Sequence, residues 1–379
     1  MKLKKRAVCL ILGLLLAAAV PLHAAAISDE DVKAPSAVLM EAQTGKLLYE
    51  KNAHEKRPCA SITKVMTLLL VMEALDSGKI ALTDTVTASA HAASMGGSDI
   101  WLKEGETMSV DDMLKATVIM SANDAAVALA EYVAGTEDDF IQMMNQKAEE
   151  LGMADTTFKN CNGLDEDGHL TSAYDVALMS AELIQHKKIF DYTQTWIDYV
   201  RGGNTQLVNT NKLIKTYQGI TGLKTGTTGK AGSCISATAE RGGVSLISVV
   251  LGCASTADRF ESAATLLDYG FANWSMVTPE LPELPDVPVE KGMQDSVQAE
   301  AVSGGSLLVS KGKEAEITSE VKMSESLTAP VEKGQKIGKI IYKLGDETLQ
   351  EIDVRAKDAV SEITFFSAFK VLLKSLLCY

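Results

Sequence analysis

The sequence predicts an α/β chain: a sheet assembled from both ends of one large domain around a helical middle, then a small β-rich domain and an amphipathic tail. Three observations carry this. Strand-like runs sit near both ends of the stretch from about Ala34 to Asn273, with helix-like runs between them. Pro279, Pro282, Pro285 and Pro288 then recur at a spacing of three, which favours an extended linker and breaks any helix. In the last stretch, Ile363 to Tyr379, a narrow polar stripe of Ser367, Lys370 and Lys374 interrupts an otherwise apolar run.

The elements follow in order. Basic Lys2 to Arg6, an apolar stretch from Ala7 to Val20 and the small run Ala24-Ala25-Ala26 read as a secretory signal over residues 1–26. The apolar stretch is shorter than the ~20 residues a spanning helix needs. Export is therefore expected, to the outer face of the cytoplasmic membrane or the cell wall. A large domain is expected over 27–275. Ala37–Met40 and Thr44–Tyr49 form strands around a turn, and Ser61 to Leu75, apolar almost all round, forms a buried helix. Ser109 with Asp112 makes a weak capping box for a helix through Met120. Asp124–Val133 and Asp138–Leu151 continue the helical middle. Val244–Leu251 is a β-branched strand, and Arg259–Phe271 a closing helix.

A Pro-rich linker is expected over 276–288 and a β-rich domain over 289–358, where apolar and polar positions alternate between Gly-containing turns. Pro-Val-Glu-Lys-Gly occurs at both 288–292 and 330–334, too short a match to establish a duplicated unit. Over 361–379 an amphipathic helix lying in a membrane interface is favoured over a helix packed on the β domain.

Composition narrows the chemistry. A net charge of −14 over 379 residues, with no long basic run, excludes phosphate-backbone binding, so nucleic acid is not a partner. The histidines (His23, His54, His91, His169, His186) are scattered without metal-ligand spacing, so no metal is expected. Cys59, Cys161, Cys234, Cys253 and Cys378 are read as mostly free core residues, with a Cys234–Cys253 bridge left open.

Three polar clusters carry the chemistry. In Ser61-Ile62-Thr63-Lys64, a hydroxyl and an amine three residues apart share one helix face. Serine needs a base, and lysine serves as one only when burial and neighbouring positive charge lower its pKa. The apolar run after Lys64 supplies burial, and Lys224 is expected to supply charge. Ser121-Ala122-Asn123 follows a helix end, where a hydroxyl and a carboxamide can enter a cleft or cap the next helix. Lys224-Thr225-Gly226 offers an amine and a hydroxyl for a carboxylate, and a glycine that admits a close backbone. The segment 226–230 fails as a phosphate loop, and no Gly-x-Ser-x-Gly elbow exists. For His169 a structural hydrogen bond within 158–175 is expected rather than a place in a Ser-His-Asp triad.

The order and separation of these clusters resemble the serine D-alanyl-D-alanine carboxypeptidases, the low-molecular-mass penicillin-binding proteins. Further matching stretches are His91–Ser98, Phe158 to Leu164 leading to His169 and Asp175, and Asn209-Thr210-Asn211. The resemblance implies a β-lactamase/transpeptidase-like fold: an antiparallel sheet with helices on both faces, a helical subdomain, a small all-β domain and a C-terminal amphipathic helix. It implies a stem peptide ending in D-Ala-D-Ala as substrate, β-lactam antibiotics as inhibitors, and no cofactor. It further implies Ser61 as nucleophile, Lys64 as base and Ser121 as proton relay. Asn123, Lys224, Thr225, Gly226, Thr227 and Arg259 would bind substrate, and the Ser61 and Thr227 N–H groups would form an oxyanion hole. Ala122 stands where many relatives carry Gly, and Thr227 where some carry His. A class A β-lactamase is disfavoured because no deacylating Glu with a following Leu-Asn appears near Asn160–His169. A sensor or scaffold that acylates without turnover is the other alternative.

Overall fold

The computed structural model describes residues 27–302 and 304–377. The expected signal over 1–26 lies outside the described residues. The chain divides into two compact units, one of residues up to Ala239 plus Leu246–Asn273, the other of Glu240–Ser245 plus Trp274 onward.

The first unit is built on a five-stranded sheet in the order Leu47–Lys51, Ser36–Glu41, Val244–Cys253, Gly232–Arg241, Ile220–Thr228. Ser36–Glu41 pairs antiparallel with both neighbours, so the two ends of the domain meet inside one sheet as the sequence predicts. All six residues of Ser36–Glu41 are buried. Because alternate side chains face opposite sides of a strand, both sheet faces are covered.

One face, carrying Val38, Met40, Ile247, Val249 and Leu251, joins a large core with Val65, Leu68, Leu69, Met113 and Leu129 from the helical middle. On the other face the Thr256–Asn273 helix packs so closely that a methyl at Gly270 would meet Leu246 Cδ1 at 2.5 Å and Leu39 Cδ2 at 3.0 Å. Helices thus lie on both faces. The middle holds helices Lys64–Asp76, Val110–Ile119, Asn123–Ala134, Glu137–Glu150 and Ala173–Leu183. Ser109 caps the second of these, accepting from Asp112 N–H at 3.0 Å.

The second unit is β-rich. A four-stranded sheet, Ala299–Ala301, Glu347–Ala356, Lys336–Leu344, Ile317–Met323, shares a core of Val287, Val289, Leu307, Val309, Ile340, Tyr342, Ile352 and Val354. The linker is shorter than the expected 276–288. Trp274–Val277 forms a strand against Leu307–Ser310, and Val287-Pro288 begins a strand paired with Ser296–Val297. Proline spacing marked the segment that lacks regular structure, but Val277 and Val287 each pack on the β core and end it early. The tail is helical over Phe365–Leu377. No helix among the described residues is long and apolar enough to cross a membrane.

Candidate active site

Ser61 lies in a 3-10 turn, Ala60–Thr63, and Lys64 is the first residue of the helix that follows. The single buried helix expected over 61–75 therefore starts with a tighter coil. With three residues per turn, positions i and i+3 eclipse, which stacks Lys64 directly over Ser61. The turn is fixed by close approaches from two glycines. A methyl at Gly226 would lie 2.7 Å from Cys59 O and 2.9 Å from Ser61 N, and one at Gly163, whose φ is +87°, 2.0 Å from Ala60 O.

Lys64 is fully buried, and its Nζ has three oxygen partners: Ser61 Oγ at 3.0 Å, Asn123 Oδ1 at 2.5 Å and Asn162 O at 2.6 Å. Burial lowers its pKa to about 7, against the opposing pull of Cys161, Asp124 and Cys59. Desolvation, which the apolar run after Lys64 predicts, is thus the main cause of the lowered pKa, while the Lys224 charge expected to assist is not among its causes. A neutral amine has only two hydrogens. The two shorter contacts are to oxygens that can only accept, so in the neutral state they use both. The nitrogen lone pair is then left for the Ser61 hydroxyl to donate to.

Lys224 is also buried and donates from Nζ to Ser121 Oγ at 2.7 Å and to Thr225 O at 2.9 Å. Burial holds it well below the usual lysine range, with repulsion from Lys64 and Arg259 adding to the effect. Ser121 adopts φ 65°, in the left-handed region, and is 4% exposed. Such a conformation is costly for a residue with a Cβ and points the side chain inward. The N-cap position of the next helix falls on Ala122 without any side-chain cap, so neither Ser121 nor Asn123 serves as one. Instead Asn123 donates from Nδ2 to Gly96 O and from its backbone to Ser98 O, both at 2.7 Å.

Lys224, Thr225, Gly226 and Thr227 lie on the strand Ile220–Thr228. Thr225 Oγ1 donates to Thr210 Oγ1 at 2.7 Å. Arg259, on the closing helix, donates from Nη1 to Gly226 O at 3.0 Å and Thr227 Oγ1 at 2.9 Å, while its buried Nε has no hydrogen-bond partner. The nine residues singled out in the sequence form two hydrogen-bonded groups, Ser61, Lys64 and Asn123 in one and Ser121, Arg259 and the Lys224–Thr227 strand segment in the other, brought together by the close approach of Gly226 to the Ser61 turn. His169 instead links Thr63 Oγ1, at 2.7 Å, to the Lys159 N–H, at 3.0 Å, as a structural residue. Cys234 and Cys253 are free thiols, so the bridge left open does not form.

Comparison with known proteins agrees with this geometry. Residues 23–255 match the D-alanyl-D-alanine carboxypeptidase family, and residues 283–362 match the penicillin-binding protein 5 C-terminal domain. The chain belongs to the D-alanyl-D-alanine carboxypeptidase family. It is 43% identical over 344 residues to carboxypeptidase DacF of Bacillus subtilis, covering 89% of this chain and 88% of that protein. It is 36% identical to DacC of Escherichia coli over 89% of this chain and 88% of that one. Among solved structures, penicillin binding protein 5 of Haemophilus influenzae superposes with TM-score 0.79 at 30% identity, over 89% of this chain and all of that one. The ampicillin-bound penicillin-binding protein D2 of Listeria monocytogenes gives 0.59 at 36% identity, over 63% and 98%.

Several groups in this carboxypeptidase site had no sequence signal of their own. The Asn162 carbonyl that holds Lys64 is a backbone atom, invisible to motif reading. Its loop is pinned by Glu137, whose Oε1 accepts from Cys161 N–H at 3.0 Å and whose Oε2 contacts His91 Nε2 at 2.6 Å. Asp124 is buried and accepts from Ile100 N–H and Leu102 N–H, at 3.1 and 2.9 Å, fixing the 96–102 loop against the helix start. Asp124 adjoins Asn123 in sequence, but only a loop partner distinguishes it from any acidic residue in a first helical turn.

Proposed function

We propose that this D-alanyl-D-alanine carboxypeptidase removes the terminal D-alanine of a peptidoglycan stem pentapeptide through an acyl-enzyme on Ser61. The observation that carries the reading is the hydrogen count at Lys64: two acceptors occupy a neutral amine and leave its lone pair facing Ser61 Oγ.

Ser61 Oγ attacks the carbonyl between the two D-alanines while its proton passes to Lys64 Nζ. The Ser61 and Thr227 N–H groups receive the developing oxyanion. As the C–N bond breaks, Ser121, held by Lys224, passes its proton to the departing amine and is reprotonated by the proton Lys64 took from Ser61, so that Lys64 is neutral again. Asn123 binds the acyl side through the carboxamide hydrogen that Gly96 leaves free. Thr225, Thr227 and the buried Arg259 charge hold the free carboxylate, with Lys224 adding to the local field and Gly226 admitting the peptide backbone. Water then attacks the ester, with Lys64 taking its proton, and Ser61 is regenerated. A β-lactam presents the same carbonyl and carboxylate but keeps its leaving group tethered, so it acylates Ser61 and acts as inhibitor.

The domain division expected from sequence fits this use, with a catalytic unit, a β unit and a tail. Phe365, Phe366, Phe369, Leu372 and Leu376 on the tail helix are all more than half exposed. So broad an apolar surface supports adsorption to the membrane, leaving the exported enzyme on the outer face of the cytoplasmic membrane.

D-alanine release from a soluble pentapeptide ending in D-Ala-D-Ala tests the reading. Release that disappears in Ser61→Ala is expected. Acylation by penicillin without any release identifies a sensor instead, and rapid penicillin hydrolysis a β-lactamase.

A further inference from the structure

Among the described residues of the catalytic unit, Trp101 is the most exposed large hydrophobic side chain, at 72%, and the chain holds it there. Its backbone takes φ 56°, in the left-handed region that residues with a Cβ rarely adopt. Ile100 and Leu102 on either side are buried at 0% and 4%, and the N–H group of each is bonded to the Asp124 carboxylate. Arg201 Nη1 donates to Ile100 O at 2.8 Å. The strained turn thus drives both neighbours inward and only the indole outward. Burying a tryptophan is strongly favourable, so a rigidly displayed one needs an occupant to account for it.

We propose that Trp101 is a stacking platform for a neutral sugar ring of the glycan strand that carries the stem peptide. A pyranose offers a C–H face to an aromatic ring and hydroxyls to the polar groups around it. The cleft beside Trp101, about 610 Å³, supplies that rim through Lys103, Glu104, Glu106 and Arg201. Its arginine is already spent, since Arg201 Nε donates to Glu106 Oε1 at 2.6 Å. What remains suits an uncharged polyhydroxylated ligand, and Glu104 beside the indole disfavours an anionic membrane surface.

Position completes the case. The same loop carries Gly96 O and Ser98 O, which hold Asn123, which in turn contacts Lys64. A sugar stacked on Trp101 would present its peptide beside the reacting groups. This deepens the carboxypeptidase reading and rests on it.

The test compares full-length wild type, Trp101→Ala and Trp101→Tyr on two substrates: soluble pentapeptide and purified sacculi rich in pentapeptide. Trp101→Ala should keep kcat/KM on the soluble peptide within about twofold. On sacculi it should lose about three- to tenfold, the range of one aromatic contact, and pellet less with them. Trp101→Tyr should restore most of the loss. Equal activity on sacculi, or an equal loss on both substrates, overturns the proposal. So does a defect in vesicle partitioning with sacculus binding unchanged. If wild type releases no D-alanine from the soluble peptide, the carboxypeptidase reading fails, and pelleting with sacculi still decides the role of Trp101.

Discussion

Gly226 passes so close to Ser61 that a methyl group on its α-carbon would lie 2.9 Å from the Ser61 nitrogen. Backbone, not a flexible side chain, occupies that space, since Cys59 O and Ile62 N lie at 2.7 and 3.0 Å from the same point. The strand of the third cluster is therefore packed directly on the turn of the first. Neither can shift without moving the nucleophile.

Gly226→Ala should consequently lower kcat/KM for D-alanine release by at least about tenfold. The fold should survive with a loss of roughly 1–3 kcal/mol, the usual cost of overpacking. Thermal unfolding together with D-alanine release checks both halves. Gly163→Ala should be worse, because it adds left-handed backbone strain to a 2.0 Å approach.

The burial of Lys64 gives a pH dependence with a definite sign. The amine works as a base only when unprotonated, and burial brings its pKa to about 7. Acylation should fall about tenfold per pH unit below 7 and level off above it. Lys64→Ala should lower acylation by about 10²–10⁴ and abolish that limb of the profile. Stopped-flow acylation by a chromogenic β-lactam between pH 5 and 9 measures it. A wild-type rate that stays flat from pH 5 to 9 contradicts the assignment.

In the proposed mechanism Arg259 acts on the carboxylate through the groups it holds. Its Nη1 bonds to Gly226 O and Thr227 Oγ1 place positive charge behind the strand. Arg259→Gln should raise KM for a pentapeptide with a free C-terminus by roughly ten- to hundredfold, with a smaller change in kcat. For the same peptide with an amidated C-terminus, the variant and wild type should differ little.

Much of this was legible in the sequence, for a physical reason. Nucleophile, base and relay are chemistry that only particular side chains supply, so Ser61, Lys64, Ser121 and Lys224 leave a pattern in the chain. Part of the sheet was legible, because Ala37–Met40, Thr44–Tyr49 and Val244–Leu251 are β-branched or apolar runs at the two domain ends; Ile220–Thr228, interrupted by Gly222, Lys224 and Gly226, carries no such run. What stayed hidden works through backbone: the Asn162 carbonyl, the left-handed turns at Ser121 and Trp101, and the 3-10 coil at Ser61. The hairpin Ile197–Val200 with Thr205–Val208 was also missed. Its outward residues Ile197, Tyr199 and Val208 are exposed apolar groups that blur the alternation. The linker was read too long because proline spacing marks where regular structure is barred, not where packing resumes.

The tail makes a separable prediction. Truncation after Ser361 removes the helix Phe365–Leu377 and should abolish partitioning onto anionic vesicles while leaving D-alanine release from soluble peptide within about twofold. Cosedimentation of the two forms checks it.

The central claim, that Ser61 is the acylated nucleophile, is tested most directly by mapping the penicillin adduct by mass spectrometry. The account predicts one penicilloyl group on the proteolytic fragment that contains Ser61, and none on the Ser61→Ala protein. An adduct on another residue, or labelling that persists in Ser61→Ala, would contradict it.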